Sequence, residues 1–234
     1  MKSEQFDFNK IKDKVSEWIE TDFIKPEDIP AIELYMDQIT TFMDKQLKGT
    51  KRYPDDKILT KTMINNYSKN DLLPPSDKKK YSKDHMILLI YIYYMKYFLS
   101  INDIKRLIKP MTDNHFQSSQ NTDHILSMSD IYEDIFKLEQ QYKINLKDNV
   151  NEVCRIADRE FPEDSDYLKT FAMIAMLSYD IYAKKQLIER LLDSIVPDST
   201  SKDKDNKNAI KEAKEARKQM EKQAKARKKE KDKS

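Results

Sequence analysis

Gly49 is the only glycine in this chain of 234 residues. Glycine enters the left-handed backbone region at no steric cost, and two-residue hairpin turns and phosphate-cradling loops depend on that freedom. One glycine therefore excludes an all-β fold, a dinucleotide-binding fingerprint and a P-loop. An all-α chain is what remains. Its only cysteine, Cys154, forbids an internal disulfide and a cysteine-based zinc site. Three histidines, His85, His115 and His124, leave little material for a metal centre. No metal and no cofactor are expected.

Charged residues make up 36% of the chain and apolar ones 38%, so part of it is expected to stay unpacked. The first six residues carry charge and lack the apolar stretch of a secretory signal. The two most apolar runs, 86–99 and 171–183, fall short of the ~20 residues that a spanning helix needs. These features predict a cytoplasmic, reducing location. No nucleophile, base and orienting group share a motif, so no enzymatic activity is expected.

Charge is distributed unevenly. Residues 48–85 carry 10 Lys/Arg against 5 Asp/Glu, inside flanks that are each net acidic. From Ser201 onward there are 14 Lys/Arg against 7 Asp/Glu. A basic island in an acidic body attracts polyanions, although spare lysines on a solvated loop would give the same composition.

Four regions follow from periodicity and breakers. Residues 1–30 hold an amphipathic helix with Phe8, Ile11, Val15, Trp18, Ile19 and Phe23 on one face, ended by Pro26 and Pro30. Residues 31–110 begin with a helix from Ala31 to Leu47 that shows Ile32, Tyr35, Ile39, Phe42 and Met43 on one side. After the loop 48–57, Thr60 is placed to cap a short helix reaching about Asn70. Its apolar face is Met63, Ile64 and Tyr67; its other face is Lys61, Thr62, Asn65, Asn66 and Lys69. Leu72-Leu73-Pro74-Pro75 stops that helix, and Lys78-Lys79-Lys80-Tyr81 follows in a basic turn. Ser82 caps a long apolar helix over 86–99, and Ser100 caps a shorter one, 101–108, ended by Pro110.

Residues 111–197 form a helical dimerisation or sensing region. It opens on a polar loop, 111–123. Met128, Ile131, Ile135, Leu138 and Tyr142 then recur at spacings of 3, 4, 3 and 4, either a dimer seam or a stripe of internal core. Helices are also expected over 147–160 and 165–195, with a break at Pro162. Residues 198–234 read as a basic tail, disordered or a frayed helix, with Glu221 and Lys225 at i,i+4. His85, beside Asp84 in a first helical turn, is expected at the surface. Cys154, between Val153 and Ile156, is expected to be buried. Arg155, Asp158, Arg159 and Glu160 are expected on a solvated face, and Tyr91, Tyr93, Tyr94 and Tyr97 in a core or an interface.

At Leu72-Leu73-Pro74-Pro75, Lys80-Tyr81-Ser82 and Ser100 to Ile108, the chain resembles the MerR-type winged helix-turn-helix over about residues 58–110. That family inserts the short helix into the DNA major groove and grips the backbone with a basic wing. Where it carries an Arg-Tyr-Tyr-Glu-like stretch, this chain has Asn65-Asn66-Tyr67-Ser68. The resemblance implies a small β-wing at most within an otherwise helical fold. A wider stretch, roughly 30–140, is similar to a bacterial family known as domain of unknown function 1836. It carries the similarity at 34–38, 56–67 and Leu72-Leu73-Pro74-Pro75.

Together these readings predict a transcriptional regulator that binds double-stranded DNA. Asn65 or Asn66 matches adenine, and Lys61 or Lys69 matches guanine or phosphate. Thr60 and Thr62 suit phosphates at the helix N-terminus. Lys78, Lys79, Lys80 and Tyr81 form the wing contacts, with Arg52 beside them. The competing expectation is a helical protein-interaction module whose basic tail alone binds nucleic acid or membrane without specificity.

Overall fold

The computed structural model describes residues 7–19, 23–117, 126–161 and 166–195. The expected basic tail lies outside the described residues, as do His124 and the break at Pro162. The chain divides into two compact units, Met1–Glu189 and Arg190–Ser234; of the second, only the last turns of the final helix are described.

The described residues form seven helices and one short strand pair. Helix α1 is Phe8–Trp18, strand β1 Leu34–Tyr35, α2 Met36–Gln46, α3 Lys61–Lys69, β2 Lys80–Tyr81, α4 Lys83–Met95, α5 Ile101–His115, α6 Met128–Glu160 and α7 Asp166–Ile195. Single turns of 3-10 helix occupy Pro26–Asp28 and Lys48–Thr50. Strands β1 and β2 are antiparallel, with Leu34 opposite Tyr81 and Tyr35 opposite Lys80.

Helix α4 is the centre of the main core. Residues His85 to Tyr93 are all buried, nine in succession. A helix apolar on every side must be enclosed on every side. Ile39, Met43, Ile64, Tyr67, Leu72, Leu73, Ile104, Ile108, Met128 and Tyr132 belong to the same core. A second core forms where α1 meets the C-terminal half of α6 and the first half of α7, around Phe8, Val15, Val150, Cys154, Ala157 and Met173. Its rim is fastened by Asp158, which binds Lys12 of α1 at 2.9 Å and Lys169 of α7 at 2.8 Å. Asp158 is thus a tie between three helices rather than a residue of a purely solvated face.

The Thr60-cap and buried-cysteine expectations agree with the structure. Several others do not. The first helix forms with Phe8 and Val15 buried, but it ends at Trp18, which is 59% exposed, and Phe23 lies outside it. The second helix starts at Met36, because Leu34 and Tyr35 pair with β2 instead and the Gln38 side chain accepts the Tyr35 N–H at 2.8 Å. Ile32 is left 70% exposed. Pro110 does not end α5, which runs on to His115 through part of the expected loop. Beyond the proline, the Asn114 amide donates to the Pro110 carbonyl at 2.8 Å and Thr112 Oγ1 to the Lys109 carbonyl at 2.8 Å. Met111 and Phe116 hold this turn on the main core.

The two helices expected over 128–142 and 147–160 are one, α6, of 33 residues. The seam splits along it: Met128 is buried and Ile135 packs on the protein's own core, while Leu138 and Tyr142 are exposed. Met128 and Ile135 are therefore not free to meet a second subunit. Of the tyrosines, Tyr91 and Tyr93 are buried and Tyr97 is exposed. Tyr132 anchors α6 by donating its hydroxyl to the Ile24 carbonyl at 2.6 Å.

Candidate nucleic-acid interface

Helix α3 forms because Thr60 Oγ1 accepts the Met63 N–H at 3.2 Å and because Ile64 and Tyr67 sink into the core. At about 100° per residue, Lys61, Thr62, Asn65, Asn66 and Lys69 then share the opposite side. All five are exposed, and α3 carries no acidic residue. Its open face is therefore made of ammonium, amide and hydroxyl groups.

After α3 the chain reverses through Asp71, at φ 53°, and runs along the buried Leu72 and Leu73. It turns sharply at 77–80, where Lys80 N–H donates to the Asp77 carbonyl at 2.7 Å. The two central residues, Lys78 and Lys79, both lie in the left-handed region, at φ 46° and 65°. Positive φ at both centres is the hairpin turn whose twist matches its strands, and it normally selects asparagine or glycine. Here it carries two exposed lysines instead. Neither they nor Lys69 pairs with a carboxylate among the described residues.

The start of α2 joins the two basic elements. Asp37 binds Lys61 at the first turn of α3, and two residues earlier Tyr35 pairs with Lys80. Lys80 Nζ lies 5.9 Å from the centre of the Tyr35 ring. The N-terminal end of α3 and the base of the turn thus flank one helix end.

Tyr81 departs from the expected contact set. It is 4% exposed and meets the His85 ring edge-on at 5.3 Å, so its ring belongs to the core beneath the turn. His85 is a correction as well: it is 2% exposed rather than at the surface. Its Nδ1 accepts the Ser82 N–H at 3.1 Å and lies 2.9 Å from Ser82 Oγ, which closes a capping box at the start of α4. Phe116 covers its ring at 4.8 Å. Burial holds the His85 pKa below the ordinary imidazole value, against the carbonyls of Pro75 and Pro74, which favour the charged form.

Arg52 lies in the loop between α2 and α3, its guanidinium 5.3 Å from the centre of the Tyr53 ring. Its loop is fastened by Lys51 to Asp44 at 2.7 Å, by Thr50 Oγ1 to the Tyr93 hydroxyl at 2.5 Å, and by Lys96 Nζ to the Ile58 carbonyl at 3.1 Å. The Asp56 carboxylate accepts the N–H groups of Arg52 and Tyr53 at 3.1 and 2.9 Å. Asp55 and Asp56 give this loop acidic residues of its own, whereas α3 has none within its sequence.

A helical domain closed by one strand pair, with a basic helix and a lysine-tipped turn anchored at the same helix end, is the class that this geometry defines. Residues 24–135 match the model of the family described as Domain of unknown function (DUF1836), so this segment is similar to that family. The match spans the same stretch as the buried residues of the main core, Ile24 to Tyr132. No curated protein and no solved structure matches the chain. Among the described residues, no helix is long and apolar enough to cross a membrane, and no cluster of His, Cys, Asp and Glu is arranged to hold a metal ion.

Proposed function

We propose that the domain is a MerR-like winged helix that binds double-stranded DNA as a cytoplasmic transcriptional regulator. Helix α3 is the recognition helix and the turn 77–80 the tip of the wing. The observation that carries this reading is the shared anchorage of Lys61 and Lys80 at the start of α2, which brings the first turn of α3 and the base of the lysine-tipped turn to one helix end. Asn65 and Asn66 present amides suited to adenine, while Lys69, Lys78 and Lys79 suit phosphate. Thr60 accepts the Met63 N–H at its own helix cap and keeps its hydroxyl proton to donate to a phosphate. A homodimer would address half-sites about one helical turn, ~34 Å, apart.

The test is selection from a genomic fragment library with the full chain and with the chain cut after Thr200. A defined site recovered by both supports the reading. Lys78→Ala then weakens binding evenly across sequences and lowers the salt slope by about 1, while Asn65→Ala costs about 1–3 kcal/mol at one base pair and relaxes preference there. The basic excess of the tail favours one second reading, a protein-interaction module with nonspecific affinity in residues 201–234. Loss of all DNA affinity on truncation would establish it.

A further inference from the structure

Helix α7 has two apolar sides. Met173 is buried, and Met176 and Leu177 pack beside it on the second core. At about 100° per residue, Tyr167, Phe171, Ile174, Ile181 and Tyr182 fall on the opposite side. They are 64, 57, 57, 65 and 61% exposed. A helix apolar all round is normally enclosed; this one is enclosed on one side.

The spacing of the open side is informative. Tyr167, Phe171, Ile174, Ser178, Ile181 and Lys185 follow each other at intervals of 4, 3, 4, 3 and 4, the period of a two-stranded coiled-coil seam. With Leu168 and Tyr179 on one flank, the exposed apolar side chains offer about 700 Å² per copy, or roughly 1,400 Å² in a pair, within the range of specific interfaces. The Tyr167 and Phe171 rings already stack, with centroids 6.3 Å apart.

The charges of α7 favour a partner like itself. The helix carries four Lys/Arg and four Asp/Glu. Lys184 pairs with Asp180 and Lys185 with Glu189, each at 2.5 Å, and Lys169 with Asp158. A self-neutralised face has nothing to offer a strongly charged partner. A helix lying on an anionic bilayer carries a Lys/Arg-rich polar side, and the other side of α7 is apolar and packed. The chain's own tail does not supply the cover, since Ile210 and Met220 are its only large apolar residues from Ser201 onward.

We infer that the open face of α7, from Tyr167 to Lys185, is the surface through which two copies of this chain associate. An isologous pair lets the same seam serve both partners. This assignment stands independently of DNA binding.

Sedimentation of the full chain over a concentration series tests it. The expected result is a dimer, with Phe171→Lys plus Ile181→Lys raising the dissociation constant at least about a hundredfold while the helical circular dichroism is retained. Ser178→Cys lies at the middle of the seam and forms a covalent dimer on oxidation; the native Cys154 is buried and does not compete. A monomer at about 100 µM overturns the assignment, as does a dimer indifferent to the double substitution. If the double variant loses its helical signal, failure of Ser178→Cys to cross-link overturns it and cross-linking supports it. A monomer that floats with phosphatidylcholine–phosphatidylglycerol vesicles also overturns it, and gives the face to a bilayer.

Discussion

His85 joins three pieces of the domain: the cap of α4, the Tyr81 ring beneath the turn, and Phe116 at the end of α5. Because its folded-state pKa is held below the unfolded value, the unfolded chain binds the extra proton first. Stability therefore falls as pH drops below about 6.5 toward the folded-state value. His85→Gln keeps the capping box, since glutamine serves at the same position. Urea titrations between pH 5 and 8 should show a flatter profile for this variant than for the parent chain. Glu139 has the opposite sign. Burial raises its pKa to about 7, so its contribution declines as pH rises from the ordinary carboxyl range to neutrality. The His85 effect is accordingly read as a difference between variants.

Lys78 and Lys79 hold a backbone conformation that costs an L-residue about 1–2 kcal/mol. Lys79→Gly removes that cost, offset in part by the greater freedom of glycine in the unfolded chain. Chemical denaturation should show a gain of about 0.5–1 kcal/mol, and DNA affinity should fall with the lost charge. A loss of stability would mean that the lysine side chain stabilises the turn.

Among elements, α4 carries the fold. Ile90 is fully buried at the middle of a helix enclosed on every side. Ile90→Ala should cost about 2–5 kcal/mol by thermal or urea unfolding. An open polar position such as Asn65→Ala should change stability by less than about 0.5 kcal/mol. The legibility of elements followed the range of the forces that set them. Helix α3 was readable to within a residue, because a capping hydroxyl and three apolar residues at helical spacing are local signals. The strand pair was not, since two residues have no periodicity and their partners lie 47 and 45 positions away. Pro110 reads as a breaker because proline removes a helix hydrogen bond, whereas packing of Met111 and Phe116 and side-chain bonds beyond it outweigh that loss. His85 beside Asp84 looked exposed because the ring that buries it, Phe116, arrives from 31 residues later. The polar residues of the candidate interface were readable, and the exclusion of Tyr81 from it was not.

At the scale of the molecule, α6 runs through both cores, and α7 touches both, with Met173 in the second and Ile188 against the main one. The buried residues of the main core all lie between Ile24 and Tyr132, with Ile188 of α7 packed against them from outside that range. Residues 24–135 expressed alone should therefore give a helical spectrum and a cooperative melt; a non-cooperative melt would show that the second core is needed to complete the first. In the full chain, α6 runs ~50 Å from Met128 to Glu160. Its first turns are bedded against α4, and its last turns are clasped by α1 and α7. Such a rod behaves as a common axle: turning it about its own axis unseats Tyr132 at one end and Cys154 at the other. The two ends are locked in phase, so neither packing can slip a register while the other stays in place.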